Sequence, residues 1–475
     1  MIDLEAFGAG IEPGKTDERH PAEPSSGFRW VAPLMAIVPI LEIYESPVEK
    51  ISWGGISLMV LSLLGGTILI SKRKANTPTV RTSPLVFVLV LLAITALGAI
   101  VQTEVLFDFS SIMNRFAMLF LWAVAVAIAG AALCEPLRIA RWVQSVAVIG
   151  TVFLLVQWAA WHATDVLIPS VLNNGFIKPS SEGYADVAYL ESYYQAFYFR
   201  PASFFAEPQY FADYASLALI LTLFGRQIRF RTAIAVFLSI GLIVSTSTTG
   251  LILGTLIWAC FLFRSTGRSH ANKPASNPLR LVLPLLVPLL LLAYAGGLLR
   301  NFLKIDSSKL DNVLASGRVG GSFDLLGYLQ RSEVLLGVGI GNEDWLVGSD
   351  HSYYNSVTAI GLGAGIMGLV AVLGLLVHLL FQSTGPSRLV LVAYALLSMS
   401  GSMLYSDRSV LWLWFALYGA SLFPRADSNG STVDRTDVVR RQDIPRNRWN
   451  GLVRNDRDQS SETNRLRRNS YLLSR

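Results

Sequence analysis

The chain has 475 residues, of which 52% are hydrophobic and only 15% charged, and its mean hydropathy is +0.47. Soluble globular proteins usually carry about 25% charged residues, so this composition excludes an ordinary soluble domain and favours a protein embedded in lipid. Two cysteines do not imply a disulfide framework, and the net charge of +6 is better explained by membrane orientation and anionic lipid than by nucleic-acid binding.

Apolar segments bounded by charged or turn residues recur along the chain, and the longest reach the roughly 20 residues needed to cross hydrocarbon as a helix. We therefore predict an all-α polytopic membrane protein with about 12 transmembrane helices. The predicted spans are residues 30–44, 54–70, 84–102, 112–133, 142–161, 210–224, 232–245, 251–263, 279–299, 355–381, 389–404 and 410–423.

These spans form one predicted transmembrane domain, residues 30–423, which follows a polar N-terminal segment, residues 1–29. Two long loops interrupt the domain, residues 162–209 and 300–354, and loops of this length are usually functional. The tail, residues 424–475, is basic and contains too few apolar residues to fold, so we predict that it is disordered.

Lysine and arginine are distributed unevenly over the short loops, and cytoplasmic loops are enriched in these residues. The interleaved set of short loops holds only Lys50 and Arg408. With an even number of spans, this asymmetry predicts that both termini lie in the cytoplasm and that both long loops lie on the opposite side of the membrane. The basic residues of the predicted cytoplasmic loops are Lys72, Arg73, Lys74, Arg81, Arg138, Arg141, Arg226, Arg229, Arg231, Arg264, Arg268, Lys273, Arg280 and Arg388.

The first long loop leads into the next span through residues 200–212, RPASFFAEPQYFA. Arg200 and Glu207 lie where the chain re-enters the bilayer, and charge is costly there unless it meets a partner, water or a ligand. An interfacial Arg–Glu pair that anchors the helix end is the alternative to a ligand site. Further along, residues 245–250, STSTTG, can cap helix ends with their hydroxyl groups or present donors to a phosphate or sugar.

The second long loop contains Arg318, a glycine run at residues 335–341, LLGVGIG, and His351 directly before a Gly-rich span. The run follows no strand and lacks the lysine of a nucleotide-binding loop, so the glycines favour a tight re-entrant path. A lone histidine is more often structural than catalytic. The nearby arginines favour a catalytic role for His351, because Arg318 and Arg331 lie in the same loop and Arg200 lies in the other long loop.

In this order, the motifs resemble those of the bacterial O-antigen polymerase and O-antigen ligase superfamily, which includes exopolysaccharide repeat-unit polymerases. The resemblance covers about residues 194–370. It rests on residues 200–208, the Ser-Thr tip, the Ser-Gly-Arg318 motif, the glycine run, and His351 followed by Asn355. The family often has asparagine directly after the histidine, whereas three residues separate the two here.

The resemblance implies a GT-C-like fold that polymerises undecaprenyl-diphosphate-linked oligosaccharide repeat units on the periplasmic face, with lipid diphosphate as the leaving group and without metal or cofactor. It implies that Arg200 and Arg318 bind the diphosphate and that His351 serves as the base for the acceptor hydroxyl. Its implied partners are membrane lipids and, in the same pathway, a chain-length regulator and a flippase. The other residues expected to contact substrate are Glu207, Gln209, Arg331, Glu333, Tyr354 and Asn355.

Three alternatives stay open. An O-antigen ligase would differ only in its acceptor, which is lipid A core instead of a second lipid-linked repeat. A transporter or flippase of lipid-linked oligosaccharide would need charged residues in a central cavity, and the predicted spans carry almost no charge apart from Arg115. A structural or assembly protein of the envelope is the third alternative.

Overall fold

The structure of the protein is a computed structural model. The N-terminal segment, the predicted span 279–299 and the tail 424–475 fall outside the residues that it describes. The described residues are 30–47, 51–71, 80–102, 105–171, 178–179, 190–192, 199–225, 230–266, 325–343, 355–401, 403–404 and 406–423.

Most described residues are helical, and every predicted span that falls on described residues coincides with a helix. Short 3-10 turns lie at Leu325–Tyr328 and Gly419–Leu422. The helices are α1 (Val31–Leu41), α2 (Trp53–Ser71), α3 (Ser83–Val101), α4 (Phe109–Leu133), α5 (Pro136–Thr164), α6 (Pro208–Phe224), α7 (Arg231–Val244), α8 (Thr248–Thr266), α9 (Arg331–Leu336), α10 (Ser356–Gln382), α11 (Pro386–Ser400) and α12 (Asp407–Tyr418).

Prolines mark the starts of α3, α5, α6 and α11. Proline suits the first helical turn because its φ is already helical and its missing N–H would have no partner there. The sequence therefore signals these four boundaries directly. The prolines are Pro84, Pro136, Pro208 and Pro386.

Five of the described helices, α2, α3, α4, α5 and α10, are long and apolar enough to cross a membrane. Large apolar side chains point outward from them, including Leu63, Ile100 and Val370, which are 60–77% exposed. Such contiguous exposure is costly in water and suits lipid. The described residues thus form an all-α protein with helices suited to a membrane, which agrees with the predicted fold class at this level.

Helices α6 and α12 lie in the interior of the helical bundle. Every residue of α6 from Phe211 to Phe224 is buried, and so is every residue of α12 from Asp407 to Leu417. A helix that is apolar on all sides belongs in a core, and both sequences are largely of that kind. The charged exceptions, Asp213 and the pair that begins α12, therefore need partners most.

Two strands tie the first connection to the first long loop. Strand β1 (Tyr44–Glu45) pairs with β2 (Lys178–Pro179) in antiparallel register, with Tyr44 opposite Pro179. The pairing joins the chain beyond α1 to a loop that lies more than a hundred residues later. It brings part of the long loop to the end of the bundle at which α1 stops.

The glycine run after α9 packs against a break in α10. The N–H groups of Val338 and Gly339 donate to the carbonyls of Leu362 and Gly363, both at 2.8 Å. Helix α10 is interrupted at Gly365, with φ 59° and ψ −156°, so these carbonyls lose their usual partners four residues later. The run therefore takes a tight path against α10, and its amides donate hydrogen bonds to the carbonyls left free by the break.

Candidate functional site

Arg200 lies at the end of the first long loop and reaches the tip between α7 and α8. Its Nε donates to Oγ1 of Thr246 at 3.2 Å, and its Nη2 donates to the Thr246 carbonyl at 3.5 Å. The structure thus joins two of the predicted motifs. Arg200 also lines a small cleft together with residues 167–171, Leu190, Phe199 and Ala206.

Residues 245–250 confirm the capping role that the sequence offers, and one hydroxyl has a second role. Ser245 ends α7 and donates from Oγ to the Leu242 carbonyl at 2.8 Å. Ser247 precedes α8, and its Oγ accepts the N–H of Gly250 at 3.3 Å. Thr246, between them, has a φ of 53° and accepts the hydrogen bond from Arg200. The serines are capping groups, whereas the threonine belongs to the Arg200 contact.

The segment that follows Arg200 is fixed to α5. The Ser203 N–H donates to Gln157 Oε1 at 2.8 Å, and Gln157 Nε2 donates back to the Ser203 carbonyl at 3.1 Å. Ser203 Oγ also donates to the Gly150 carbonyl at 2.7 Å. Ser203 is fully buried and has a φ of 59°. These bonds satisfy the polar groups of a buried turn and hold residues 200–206 in place.

The starts of α6 and α10 meet at Gly401. A Cβ on Gly401 would lie 2.6 Å from Nε2 of Gln209, so this side chain lies directly against the glycine. From α10, the N–H and Oγ of Ser356 both donate to the Gly401 carbonyl, at 3.0 and 2.9 Å. Asn355 is 1% exposed and caps α10, with its Oδ1 accepting the Thr358 N–H at 2.8 Å. Of the residues expected to contact substrate, Gln209 and Asn355 are therefore neighbours of one backbone turn.

A buried arginine that was not expected at the site stacks on Tyr210, the residue that follows Gln209. Arg408, expected in a short outer loop, is 5% exposed at the start of α12. Its Nε donates to Glu42 Oε2 at 2.9 Å, its Nη1 donates to Asp213 Oδ2 at 3.4 Å, and its guanidinium lies 3.5 Å from the Tyr210 ring centroid. Glu207, the residue at the N-cap position of α6, also interacts electrostatically with Arg408. Breaking one partner of such a buried pair typically costs about 3–5 kcal/mol.

Asp213 corrects the expectation that the spans carry almost no charge apart from Arg115. It lies within the predicted span 210–224 and is 3% exposed. A charge there is acceptable because Arg408 reaches it. An aspartate inside an apolar run was the signal for this network, although the sequence does not identify its partner.

Asp407, the neighbour of Arg408, precedes the predicted span 410–423 and has its own hydrogen-bond partner. Its Oδ2 accepts the hydroxyl of Ser52 at 2.8 Å. Burial, and then the nearby Glu42 carboxylate, raises the pKa of Asp407 to about 7. The Ser52 hydrogen bond and the positive charge of Arg408 oppose this shift only in part. Asp407 therefore carries a proton for much of the time at neutral pH.

The second long loop contributes less to the described site. Glu333 is 8% exposed, and its Oε2 accepts the Gln330 N–H at 2.8 Å, which closes a capping box at the start of α9. This contact is a helix-capping role, and Gln-x-x-Glu was its sequence signal. Arg331 begins α9, and its side chain lies outside the described residues, as do Arg318, His351 and Tyr354.

Within the part of the chain that the structure describes, no three His, Cys, Asp or Glu side chains are grouped in a way that could hold a metal ion. The two cysteines, Cys134 and Cys260, are free thiols. A scan against protein-family models finds no family that matches the chain, and a search of curated proteins finds no matching relative.

Proposed function

We propose that this protein is a membrane-integral glycosyltransferase that extends a glycan carried on undecaprenyl diphosphate, at the periplasmic face of a bacterial inner membrane. The observation that supports it most is the meeting of motifs from separate parts of the chain. Arg200 contacts Thr246, and Gln209 and Ser356 meet at Gly401. The segments that carry Arg200, Thr246 and Asn355 resemble, in their order and residue types, the motifs of the polymerase and ligase superfamily.

Two helix starts and Arg200 are the features of this end of the bundle that could bind an anionic ligand. Helices α6 and α10 both begin here, and the start of a helix carries a partial positive charge and N–H groups without helical partners. Arg200 adds a guanidinium group that can donate two parallel hydrogen bonds to phosphate oxygens. A lipid diphosphate, which gains negative charge as its sugar leaves, is the ligand that these groups would stabilise.

In the proposed reaction, a hydroxyl oxygen of the acceptor sugar attacks the anomeric carbon of the donor glycan. A new carbon–oxygen bond forms, the bond to the diphosphate breaks, and its electron pair remains on the phosphate oxygen. Arg200 and Arg318 bind that oxygen, and His351 accepts the hydroxyl proton. Glu207 and Arg331 complete the substrate contacts.

The same proposal places the chain in the membrane with about 12 spans, GT-C-like, with both termini cytoplasmic and the two long loops periplasmic. The contacts agree with such a topology. The ends of α1 and α11 and the starts of α6, α10 and α12 all meet at one end of the bundle. The predicted alternation of spans assigns each of these helix ends to the outer side.

The direct test uses the purified full chain in lipid nanodiscs with a radiolabelled lipid-linked repeat unit and no sugar nucleotide. A ladder of longer products is expected, and Arg200→Lys should reduce its rate by about 10²-fold, because lysine keeps the charge but loses the planar fork. Arg138→Lys is the matched control, since Arg138 forms an exposed ion pair with Glu135 at 2.8 Å. A ladder of unchanged rate from Arg200→Lys would refute the role of Arg200.

The acceptor separates polymerase from ligase in the same assay. Products that form from the lipid-linked repeat alone support polymerisation. Products that require added lipid A core support a ligase. Absence of any glycan transfer by the wild-type chain under both conditions would refute the proposed activity.

One observation keeps a transporter as a second candidate. Asp213 and Arg408 are buried inside the bundle, and buried ionisable groups in membrane proteins often mark ion or substrate pathways. In proteoliposomes, a transporter would move fluorescent lipid-linked oligosaccharide between leaflets without changing its length. Length change without movement would exclude this candidate.

A further inference from the structure

Arg408 links three helices close to the candidate site. It lies at the start of α12, contacts Glu42 at the end of α1, and contacts Tyr210 and Asp213 in the first turns of α6. Its backbone N–H also donates to Glu42 Oε2, at 3.3 Å. One side chain thereby fixes the relative positions of helices that are far apart in sequence.

The contacts of Arg408 differ from those expected of a substrate-binding arginine. Nε and Nη1 already donate to carboxylates, and the aromatic ring of Tyr210 covers one face of the guanidinium. Its side chain is 6% exposed. An arginine held in this way acts on its protein neighbours and not on a ligand.

Two of those neighbours, Tyr210 and Asp213, belong to α6, the helix that directly follows the segment carrying Arg200. Tyr210 follows Glu207 by three residues, and residues 200–206 run directly into this helix start. Residues 200–206 have a second attachment, the Ser203–Gln157 bonds to α5. The segment is therefore held at both ends, by α5 on one side and by Arg408 on the other.

We propose that Arg408 is a positioning residue of this site, which fixes the start of α6 and through it the guanidinium group of Arg200. As a statement about catalysis, this inference rests on the proposed glycosyl transfer. Its geometric part, that Arg408 holds the start of α6 in place, can be measured without any glycan transfer.

The geometric test measures the reactivity of a thiol introduced by Ala206→Cys in a chain whose native thiols are removed by Cys134→Ser and Cys260→Ala. Ala206 is half-buried, so labelling by a membrane-impermeant maleimide follows local opening of the segment. Adding Arg408→Lys should increase the labelling rate about tenfold, because lysine cannot bridge two carboxylates as the guanidinium does. Adding the exposed control, Arg138→Lys, should leave the rate unchanged. Equal rates for the two variants would overturn the proposal.

The catalytic test measures transfer of lipid-linked glycan by the full chain in nanodiscs. Arg408→Lys should reduce kcat by about 10²-fold with little change in KM, since a small displacement of a positioning group affects the transition state more than ground-state binding. Arg138→Lys should match the wild type. A kcat for Arg408→Lys equal to that of the control would overturn the catalytic part.

A milder variant covers the case in which Arg408→Lys fails to fold. Glu42→Gln removes one charge from a partly exposed partner and keeps its shape, so it should change both readouts in the same direction but less. The two proposals fail separately. Faster labelling in a chain whose wild type transfers no glycan would uphold the positioning and reject the glycosyltransferase, whereas transfer with unchanged labelling would do the reverse.

Discussion

At the residue scale, the buried polar network favours the charged form of Arg408 and the neutral form of its neighbour Asp407. Arg408 has two carboxylate partners, so its charge is compensated. Asp407, one residue earlier, has the Ser52 hydroxyl as its hydrogen-bond donor and the Glu42 carboxylate nearby. A buried carboxylate in such surroundings is more stable when protonated. The arginine therefore holds its charge, while the aspartate is the titrating member of the pair.

This difference predicts how stability depends on pH. The pKa of Asp407 is about 7 in the folded chain and near 3.8 in the unfolded chain, so its contribution is fully present below about pH 4 and is lost as the pH rises through 7. Asp407→Asn is neutral at every pH and should remove this dependence. The thermal midpoint of the wild type in detergent, followed by tryptophan fluorescence, should fall between about pH 5 and about pH 8 more steeply than that of the variant. Parallel curves would contradict the assignment.

At the scale of elements, α10 and the glycine run depend on each other. The helix breaks at Gly365, and the amides that follow α9 bond to the carbonyls before the break. Its backbone conformation, φ 59° and ψ −156°, is accessible almost only to glycine. A Cβ at this position would also lie 2.5 Å from the backbone carbonyl group of Leu335. The backbone conformation and the close contact with Leu335 therefore both disfavour a Cβ at residue 365.

Gly365→Ala should therefore destabilise the chain by about 3 kcal/mol or more, from backbone strain together with overpacking. Gly374→Ala in the same helix is the matched control, because no atom lies within 4 Å of the added Cβ. Removing a glycine from a regular helix should stabilise it by up to about 1 kcal/mol. Thermal unfolding in detergent should separate the two variants by several degrees in opposite directions. Equal midpoints would show that the break does not need glycine.

The sequence predicts where the helices lie, but it does not predict which buried charged residues pair with one another. Apolar runs and the prolines at helix starts locate the elements, because both act through neighbouring residues. The pairing of Arg408 with Glu42 and Asp213 joins residues 366 and 195 positions apart, and no local pattern carries that information. Glu333 is the opposite case, since its observed contact closes a capping box between residues three apart, and the local pattern Gln-x-x-Glu predicts it.

At the scale of the whole molecule, the polar contacts gather at one end of the bundle. Arg200 with Thr246, Gln209 and Ser356 with the Gly401 turn, and the Arg408 network all involve helix ends that the charge pattern predicts to be periplasmic. Local chemistry and the distribution of lysine and arginine are independent properties of the sequence. Their agreement supports the proposal that the end of α1 and the start of α6 belong to one site on the outer face.

The orientation of α5 provides the last prediction, because its two ends should lie on opposite sides of the membrane. The helix has 29 residues and a length of about 43 Å at 1.5 Å per residue, which exceeds the hydrocarbon thickness of about 30 Å. Arg141 and His162 are both exposed and lie near its opposite ends. In a chain lacking the native thiols, a membrane-impermeant maleimide applied to spheroplasts of a bacterial host should label His162→Cys. Arg141→Cys should react only after permeabilisation, because the charge pattern places that end inside. The reverse pattern would invert the topology and move the candidate site to the cytoplasmic face, where the proposed reaction with a periplasmic lipid-linked glycan could not occur.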